Sequence, residues 1–211
     1  MPSQQAIDNL NYATDLAKAG QEAPLVGGPI GFMWGLLLTA TLGTHWGIIT
    51  GKLPFEIWHL GFLWVFFSII GGVASAILSR TLKQKPSFHS TANQIEQSVW
   101  LMFSIMLGCF WVGITLSILF GSGTPALFDF VVIAGFGGQG LAYGVTARMS
   151  HHKWLAYPSG ASFIASIVCI AAFGQPLLYL IAAVATVFTV VLPSIKTIES
   201  ERVEQLSLIH I

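Results

Sequence analysis

The sequence predicts an all-α integral membrane bundle of six transmembrane helices, with both termini in the cytoplasm and a short cytoplasmic N-terminal helix. Of the 211 residues, 54% are hydrophobic and only 9% are charged, whereas a soluble domain carries about 25% charged residues. Six apolar runs are long enough to cross a bilayer. The basic residues gather on one side of these runs, which sets the predicted orientation.

The apolar runs contain no interior Lys or Arg. Because unpaired backbone amides are costly in lipid, we interpret the runs as helices. A β-barrel would instead alternate apolar and polar residues over segments of about ten residues. Turn-forming stretches such as Thr50-Gly51-Lys52-Leu53-Pro54 separate several runs, so consecutive helices should form antiparallel hairpins. The runs cover residues 28–49, 58–78, 99–120, 126–147, 154–173 and 176–195.

The orientation follows from the Lys and Arg residues. With an inner N-terminus, only Lys52 lies outside, as the preference for basic residues on the cytoplasmic side requires. We therefore predict a cytoplasmic segment at residues 1–24, a transmembrane domain at 25–198 and a cytoplasmic tail at 199–211, in a bacterial inner membrane. The basic residues on the inner side are Lys18, Arg80, Lys83, Lys85, Arg148, Lys153, Lys196 and Arg202.

Local signals refine three segments. Residues 6–19 read as a short, mostly polar helix with a weak apolar side. Thr91-x-x-Gln94 has the spacing of a capping box, so the third spanning helix should start before the membrane; a plain flexible loop is the alternative. Leu206-Ser207-Leu208-Ile209-His210-Ile211 resembles the translated end of a sequencing-library adapter, so we expect these residues to be non-native and the natural C-terminus to be missing.

Small residues recur at every fourth position of the first apolar run. Helices in lipid associate through close backbone approach at such residues, so we predict tight packing of the first and second helices, or a seam between copies. A substrate-lining face is the functional alternative. The glycine stripe consists of Gly27, Gly31, Gly35, Thr39, Gly43 and Gly47, and its expected counterpart is Ser68, Gly72 and Ala76.

The fourth run contains Gly135-Phe-Gly137-Gly138-Gln-Gly140. This matches a dinucleotide fingerprint, but that site also needs an acidic residue about 20 positions later, and none occurs between Asp129 and Glu199. A helix thinned for close packing, or one broken in mid-membrane, explains the glycines better. Gln139 is the strongly polar side chain deep in a span, so we expect it to face protein, as structural glue or as a substrate contact.

His45, Glu56, His59 and Asp129 share the predicted outer side. If they converge they form a metal site, since such a centre needs several of these ligands together; otherwise they are interfacial residues. A proton-linked role for His45 or Asp129 is a further possibility. Together with Gln139, these two residues form our predicted substrate path. We expect no cofactor, no resident metal and no catalytic residue, and the net charge of zero gives no basic footprint for nucleic acid.

Two resemblances add to this interpretation. Glu22-Ala-Pro-Leu-Val-Gly-Gly28, Gly35-Leu-Leu-Leu and His45-Trp46-Gly-Ile-Ile-Thr-Gly51 resemble a group of small polytopic membrane proteins from proteobacteria over about the first 55 residues. The six-span layout with Ala23-Pro24-Leu25 before a glycine-rich helix is similar to the acetate/succinate uptake family. That family's Asn-Pro-Ala-Pro-Leu-Gly-Leu signature is absent here, so no binding residue is carried over. The resemblance implies a membrane location.

Three functions remain open from the sequence. The first is a non-catalytic structural, sensory or regulatory protein that acts with a membrane or cytoplasmic partner or as a homo-oligomer, in contact with the lipid bilayer. The lack of buried charge and the polar cytoplasmic ends favour it. The second is a small-solute or ion transporter or channel with a polar cavity around Gln139. The third is a membrane-embedded metal-dependent enzyme, which requires His45, Glu56, His59 and Asp129 to cluster.

Overall fold

The computed structural model describes residues 4–150 and 152–209, and from residue 204 onward it describes the backbone only. The fold is all-helical, with 84% helix and no strand in these ranges. Helix α1 (Gln4–Glu22) has no buried residue and is longer at both ends than the predicted 6–19. His210 and Ile211 at the end of the adapter-like segment lie outside the described residues.

Six helices are long and apolar enough to cross a membrane, and their number and class confirm the prediction. The side on which the termini lie and the identity of the membrane stay predictions. The last of the six is uninterrupted, but it contains one π-helical turn. The helices are α2 (Gly28–Ile49), α3 (His59–Leu82), α4 (Thr91–Phe120), α5 (Leu127–Met149), α6 (Ala156–Ala171) and a last helix of α7 (Leu177–Thr186), the π turn (Val187–Val191) and α8 (Leu192–Ile209).

Helix α4 starts eight residues before the apolar run that begins at Val99. Ser90 is its N-cap, and its hydroxyl accepts a hydrogen bond from the N–H of Asn93 at 3.4 Å. The helix therefore starts before the apolar run, as predicted, but its capping residue is Ser90 rather than Thr91 and it begins one residue earlier than a Thr91 cap requires. A short 3₁₀ helix (Pro86–His89) leads into it.

The helices pack in an antiparallel order that puts α2 and the last helix at the centre. α2 contacts α3, α7, the π turn and α8, while α5 lies between α4 and α6, and α6 packs on α7. In the apolar stretch of the last helix 56% of the residues are buried inside the protein, whereas in the apolar stretch of α4 the share is 0%. α3 and α4 are therefore peripheral, with broad apolar faces directed away from the protein.

The two ends of the bundle differ in charge. The end where α2, α4 and α6 begin holds the basic residues except Lys52, and we call it the Asn93 end after its buried asparagine. The opposite end is the Asp129 end. A small apolar cluster around Leu25, Tyr143 and Leu155 packs at the Asn93 end. A larger one, around Leu42 and Leu178, occupies the middle of the bundle and the Asp129 end.

Candidate functional site

Asp129 joins α5 to the turn between α6 and α7. Its Oδ2 accepts a hydrogen bond from the backbone N–H of Gly174 at 2.9 Å, and its Oδ1 accepts one from the hydroxyl of Tyr179 at 2.6 Å. Gly174 has a φ of 75°, a conformation in which a side chain would be strained. Because Asp129 is 6% exposed, protein donors replace water around its carboxylate.

Tyr179 connects this carboxylate to His45 on α2. The phenol ring is stacked on the imidazole with centroids 3.6 Å apart and an interplanar angle of 15°. On the other side, Nε1 of Trp64 on α3 donates to Nδ1 of His45 at 3.1 Å. A neutral imidazole that accepts at Nδ1 carries its proton on Nε2, and this atom has no hydrogen-bond partner among the described residues.

The Asp129 cluster, defined as Asp129, Tyr179, His45 and Trp64, thus joins four helices through side chains. Its carboxyl, phenol and imidazole groups stand in a row, so the cluster can hold a proton or transmit a change in hydrogen bonding from α5 to α2. Sequence reasoning placed His45 and Asp129 on one side but missed Tyr179, which brings them together. The available signal was a tyrosine three residues into the last apolar run.

Glu56 and His59 do not join this cluster. Nδ1 of His59 lies 3.1 Å from the backbone N of Glu56, and the Glu56 carboxylate accepts from Nε1 of Trp58 at 2.7 Å. Among the described side chains, those of residues 4–150 and 152–203, no three His, Cys, Asp or Glu are placed to hold a metal ion. The convergence of His45, Glu56, His59 and Asp129, on which the enzyme hypothesis depends, is therefore not found.

Gln139 forms a separate polar contact, ten residues along α5 from Asp129 and about 15 Å away at 1.5 Å per residue. Its Nε2 donates to Oγ of Ser162 at 3.0 Å and to the carbonyl of Thr189 at 3.1 Å. Pro193 stands four residues after Thr189 and has no N–H to give to that carbonyl. Gln139 supplies the donor that the proline withholds, as neighbouring helices do for proline-containing spans.

The irregular helix is the last one and not α5. The π turn at Val187–Val191 precedes Pro193, whereas α5 is continuous from Leu127 to Met149. Of the two explanations for the glycines of α5, the thinned helix is therefore correct and the broken helix is wrong. Gln139, His45 and Asp129 belong to two distinct contacts, and the described side chains do not connect them into one path.

The glycines of α5 allow close packing of two neighbouring helices, α4 and α6. A Cβ at Gly138 would lie 2.6 Å from Cε of Met106 on α4, and one at Gly140 would lie 2.9 Å from Cε1 of Phe163 on α6. Ser159 on α6 also donates to the carbonyl of Gly140 at 2.7 Å. The fingerprint-like run is thus a packing surface with two sides.

The glycine stripe of α2 packs mainly on the last helix. A Cβ at Gly31 would lie 2.5 Å from Oγ of Ser194, and one at Gly35 would lie 2.9 Å from Cγ2 of Val191. Gly27 lies against the carboxylate of Glu96 and Gly47 against the side chain of Leu53, while Gly43 has open space. Thr39 carries the one buried side-chain oxygen or nitrogen without a partner in the described part of the chain.

The expected counterpart on α3 is wrong. Ser68, Gly72 and Ala76 are exposed, and a Cβ at Gly72 would meet nothing within 4 Å. The contact face is instead the one with Ser75, whose hydroxyl accepts from Nε1 of Trp34 at 2.8 Å, and Gly71, which lies against the same indole. The large Trp34 side chain of α2 therefore fills the space between α2 and α3, where we expected small residues on both helices to bring the backbones together.

Asn93 is the residue that sequence reasoning missed at the other end. It is 0% exposed. Its Oδ1 accepts from the N–H of Val26 at 2.8 Å, and its Nδ2 donates to the carbonyls of Pro24 at 2.8 Å and Ser87 at 3.0 Å. The bonds to Pro24 and Val26 hold the segment between α1 and α2, residues 23–27, which we call the strap.

Glu96 and His152 complete the attachment of the strap. The Glu96 carboxylate accepts a hydrogen bond from the backbone of Gly27, and Nε2 of His152 lies 3.0 Å from the carbonyl of Ala23. Asn93 and Glu96 are three residues apart on α4 and so share a face. The available signal was two polar residues on one helix face, Asn93 within the capping signal and Glu96 two residues after it.

Comparisons of the chain with family models, curated proteins and solved structures found no match. The six long apolar helices indicate a multi-pass membrane protein. Its candidate sites are defined by the chain's own contacts: the Asp129 cluster at one end and the strap with α1 at the other.

Proposed function

We propose that this chain is a non-catalytic sensory or regulatory membrane protein that binds a protein partner through α1. The single observation that supports it most is the state of α1 itself. This 19-residue helix has no buried residue, whereas most helical stability in proteins comes from tertiary packing of an amphipathic face. Beyond its contact with α4, a bound protein would add the packing surface that stabilises it.

The apolar side of α1 is directed away from the bundle. Ile7 is 40% exposed and Leu10 is 67% exposed, and at three residues apart they share one face. The helix carries Asp8, Asp15 and Glu22 against Lys18, a net charge of −2. Helices that lie on membrane surfaces are rich in Lys and Arg, and anionic lipid repels an acidic helix. The charge therefore favours a protein partner over the bilayer surface.

The strap gives α1 a fixed base on the bundle. With Pro24 and Val26 bonded to buried Asn93, a movement of α4 reaches α1 through a short, held segment. In the predicted orientation this end lies in the cytoplasm of a bacterium and the Asp129 cluster lies on the far side of its inner membrane. The two sites then stand where an input and an output of a regulatory protein would be.

Photo-crosslinking in the native host tests the proposal. A crosslinker at position 7 of the full chain should give one discrete protein adduct, and Leu10→Asp should abolish it. Tyr12→Asp is the matched control, because Tyr12 is 72% exposed and lies about 160° around the helix from Leu10. Adducts with lipid alone, or equal loss in both variants, would contradict the proposal.

A transporter or channel is the second candidate, and the Asp129 cluster favours it. Ionisable side chains within membrane-facing bundles commonly mark ion or proton pathways, and His45, Tyr179 and Asp129 are such a set. Vesicles containing the purified chain and an internal pH dye would show proton flux that Asp129→Asn abolishes. Absence of flux, or flux unchanged in that variant, would reject this function for the cluster; Gln139→Leu tests the other polar contact in the same way.

A further inference from the structure

An open groove runs along the outer surface between α6 and the last helix. Its part nearer the Asn93 end has a volume of about 250 Å³ and is lined by Trp154, Tyr157 and Lys196, among others. Its longer part has a volume of about 450 Å³ and is lined by apolar side chains and one threonine. Both parts are lined by Ala161 and Phe188, so they form one continuous groove.

The groove exists because its lining combines small and large residues. Ala161, Ala165 and Ala185 leave room along the line where the two helices meet, and larger apolar residues such as Ile164 and Val184 stand beside them. Ile164 is 64% exposed and Val184 is 52% exposed, so their side chains border an open space. A flexible apolar chain fits such a space without displacing a helix.

The mouth of the groove carries a cation and aromatic residues. Nζ of Lys196 lies 4.7 Å from the centroid of the Trp154 ring, and Tyr157 is 81% exposed. No acidic residue lines either part, and in the described part of the chain Lys196 makes no salt bridge. Lysine with Trp and Tyr is the set of side chains that meets phospholipid headgroups at a membrane boundary.

The groove extends along most of the span. On the last helix its lining runs from Lys196 to Leu177, a rise of about 29 Å at 1.5 Å per residue, close to the hydrocarbon thickness of about 30 Å for a whole bilayer. One leaflet accounts for about 15 Å of this length, so an acyl chain that enters at Tyr157 fits inside the groove without reaching its other end. The mouth lies at the Asn93 end, where the basic residues attract anionic headgroups.

We propose that this groove binds one anionic diacyl phospholipid, with its phosphate at Lys196 and Tyr157 and an acyl chain along Ala161 and Phe188. The charge at the mouth selects the headgroup, and the apolar lining holds the chain. This inference depends on the spanning helices and is independent of any partner of α1.

Native mass spectrometry of the full chain tests it, with phosphatidylglycerol and phosphatidylcholine titrated separately. Wild-type protein should bind phosphatidylglycerol more tightly, and Lys196→Gln should weaken that binding about fivefold, since one basic residue near the surface contributes about 1 kcal/mol. Lys83→Gln is the matched control, because Lys83 is an exposed lysine at the same end outside the groove; it should retain wild-type binding. Equal loss in both variants, or equal binding of both lipids, would overturn the proposal.

A second variant tests the position of the lipid's acyl chain in the groove. Ala161→Leu narrows the groove and should weaken binding of both lipids while the protein elutes and melts as wild type. Unchanged lipid binding in this folded variant would show that the acyl chain lies elsewhere and would overturn the proposal. If Ala161→Leu does not fold, the comparison of Lys196→Gln with Lys83→Gln decides alone. Glycerol 3-phosphate should not displace the lipid, and displacement would mean that free phosphate is the ligand.

Discussion

The hydroxyl of Tyr179 donates to the carboxylate of Asp129 at 2.6 Å, across 50 residues of sequence. Since the same ring is stacked on His45, this one bond controls the position of the tyrosine against α2. Asp129 also holds the turn at Gly174, so a change of its charge or partner acts on both the start of α7 and the turn before it.

Tyr179→Phe should destabilise the protein by about 1 kcal/mol, because one buried hydrogen bond is lost while the stacked ring is kept. The free energy of unfolding, measured by denaturant titration in detergent, checks this value. Tyr12→Phe makes the same chemical change at an exposed tyrosine and should be neutral. Equal stability of both variants would show that the Asp129 bond contributes nothing.

Gln139→Leu should cost about 1 kcal/mol, the usual size of a hydrogen bond between helices in membrane proteins. The loss should shrink in a Pro193→Ala background, because alanine supplies the backbone N–H that Thr189 lacks. A double-mutant cycle on the free energy of unfolding measures this coupling. Strictly additive effects would mean that Gln139 does not replace the missing donor.

Gly35→Leu should destabilise the bundle by about 1–3 kcal/mol, because its side chain would be forced into Val190 and Val191 on the last helix. Gly43→Leu is the matched control on the same helix, since a Cβ there meets nothing within 4 Å. Melting profiles in detergent should separate the two variants. A destabilised Gly43→Leu would reveal a contact with another copy of the chain at that position.

Asn93→Ala should release the strap and cost about 2 kcal/mol, because it removes the partner of the buried Val26 N–H and of the part-buried Pro24 carbonyl. Hydrogen exchange at the Val26 amide should accelerate, and limited proteolysis should cut near residues 23–27. Gln94→Ala, at an exposed neighbour with one hydrogen bond to His89, should change neither readout. Protection of Val26 in both variants would mean that other contacts hold the strap.

The spanning helices were predictable because length and apolarity alone determine them. The direction of the glycine stripe was not, because small residues show that a helix is approached closely but not which neighbour approaches. Here the glycine stripe is approached by the last helix, through Val190, Val191 and Ser194. The contact between α2 and α3 is made instead by a large side chain of α2, Trp34, which bonds to Ser75.

The polar contacts were predictable as residues but not as pairs. Gln139 was identified because it is an isolated polar residue in an apolar run. Its partner was not, because the Thr189 carbonyl is free to accept only since Pro193, four residues later, has no N–H to donate to it. His45 and Asp129 were placed at one end, but their link passes through Tyr179, on a helix whose rotation the apolar run does not reveal. Asn93 and Glu96 were overlooked because they lie before the run that sequence reasoning treated as the helix.

The antiparallel contact between α2 and the last helix also sets an order of assembly. During synthesis, the first spanning helix leaves the ribosome long before Val190, Val191 and Ser194, the residues that its glycines contact, have been translated. Its glycine face therefore stays uncovered until Leu192–Ile209 and the π turn before it have been made, so this contact closes only when the two distant helices meet. Quality-control proteases would therefore have their best access to nascent chains that stop before α7.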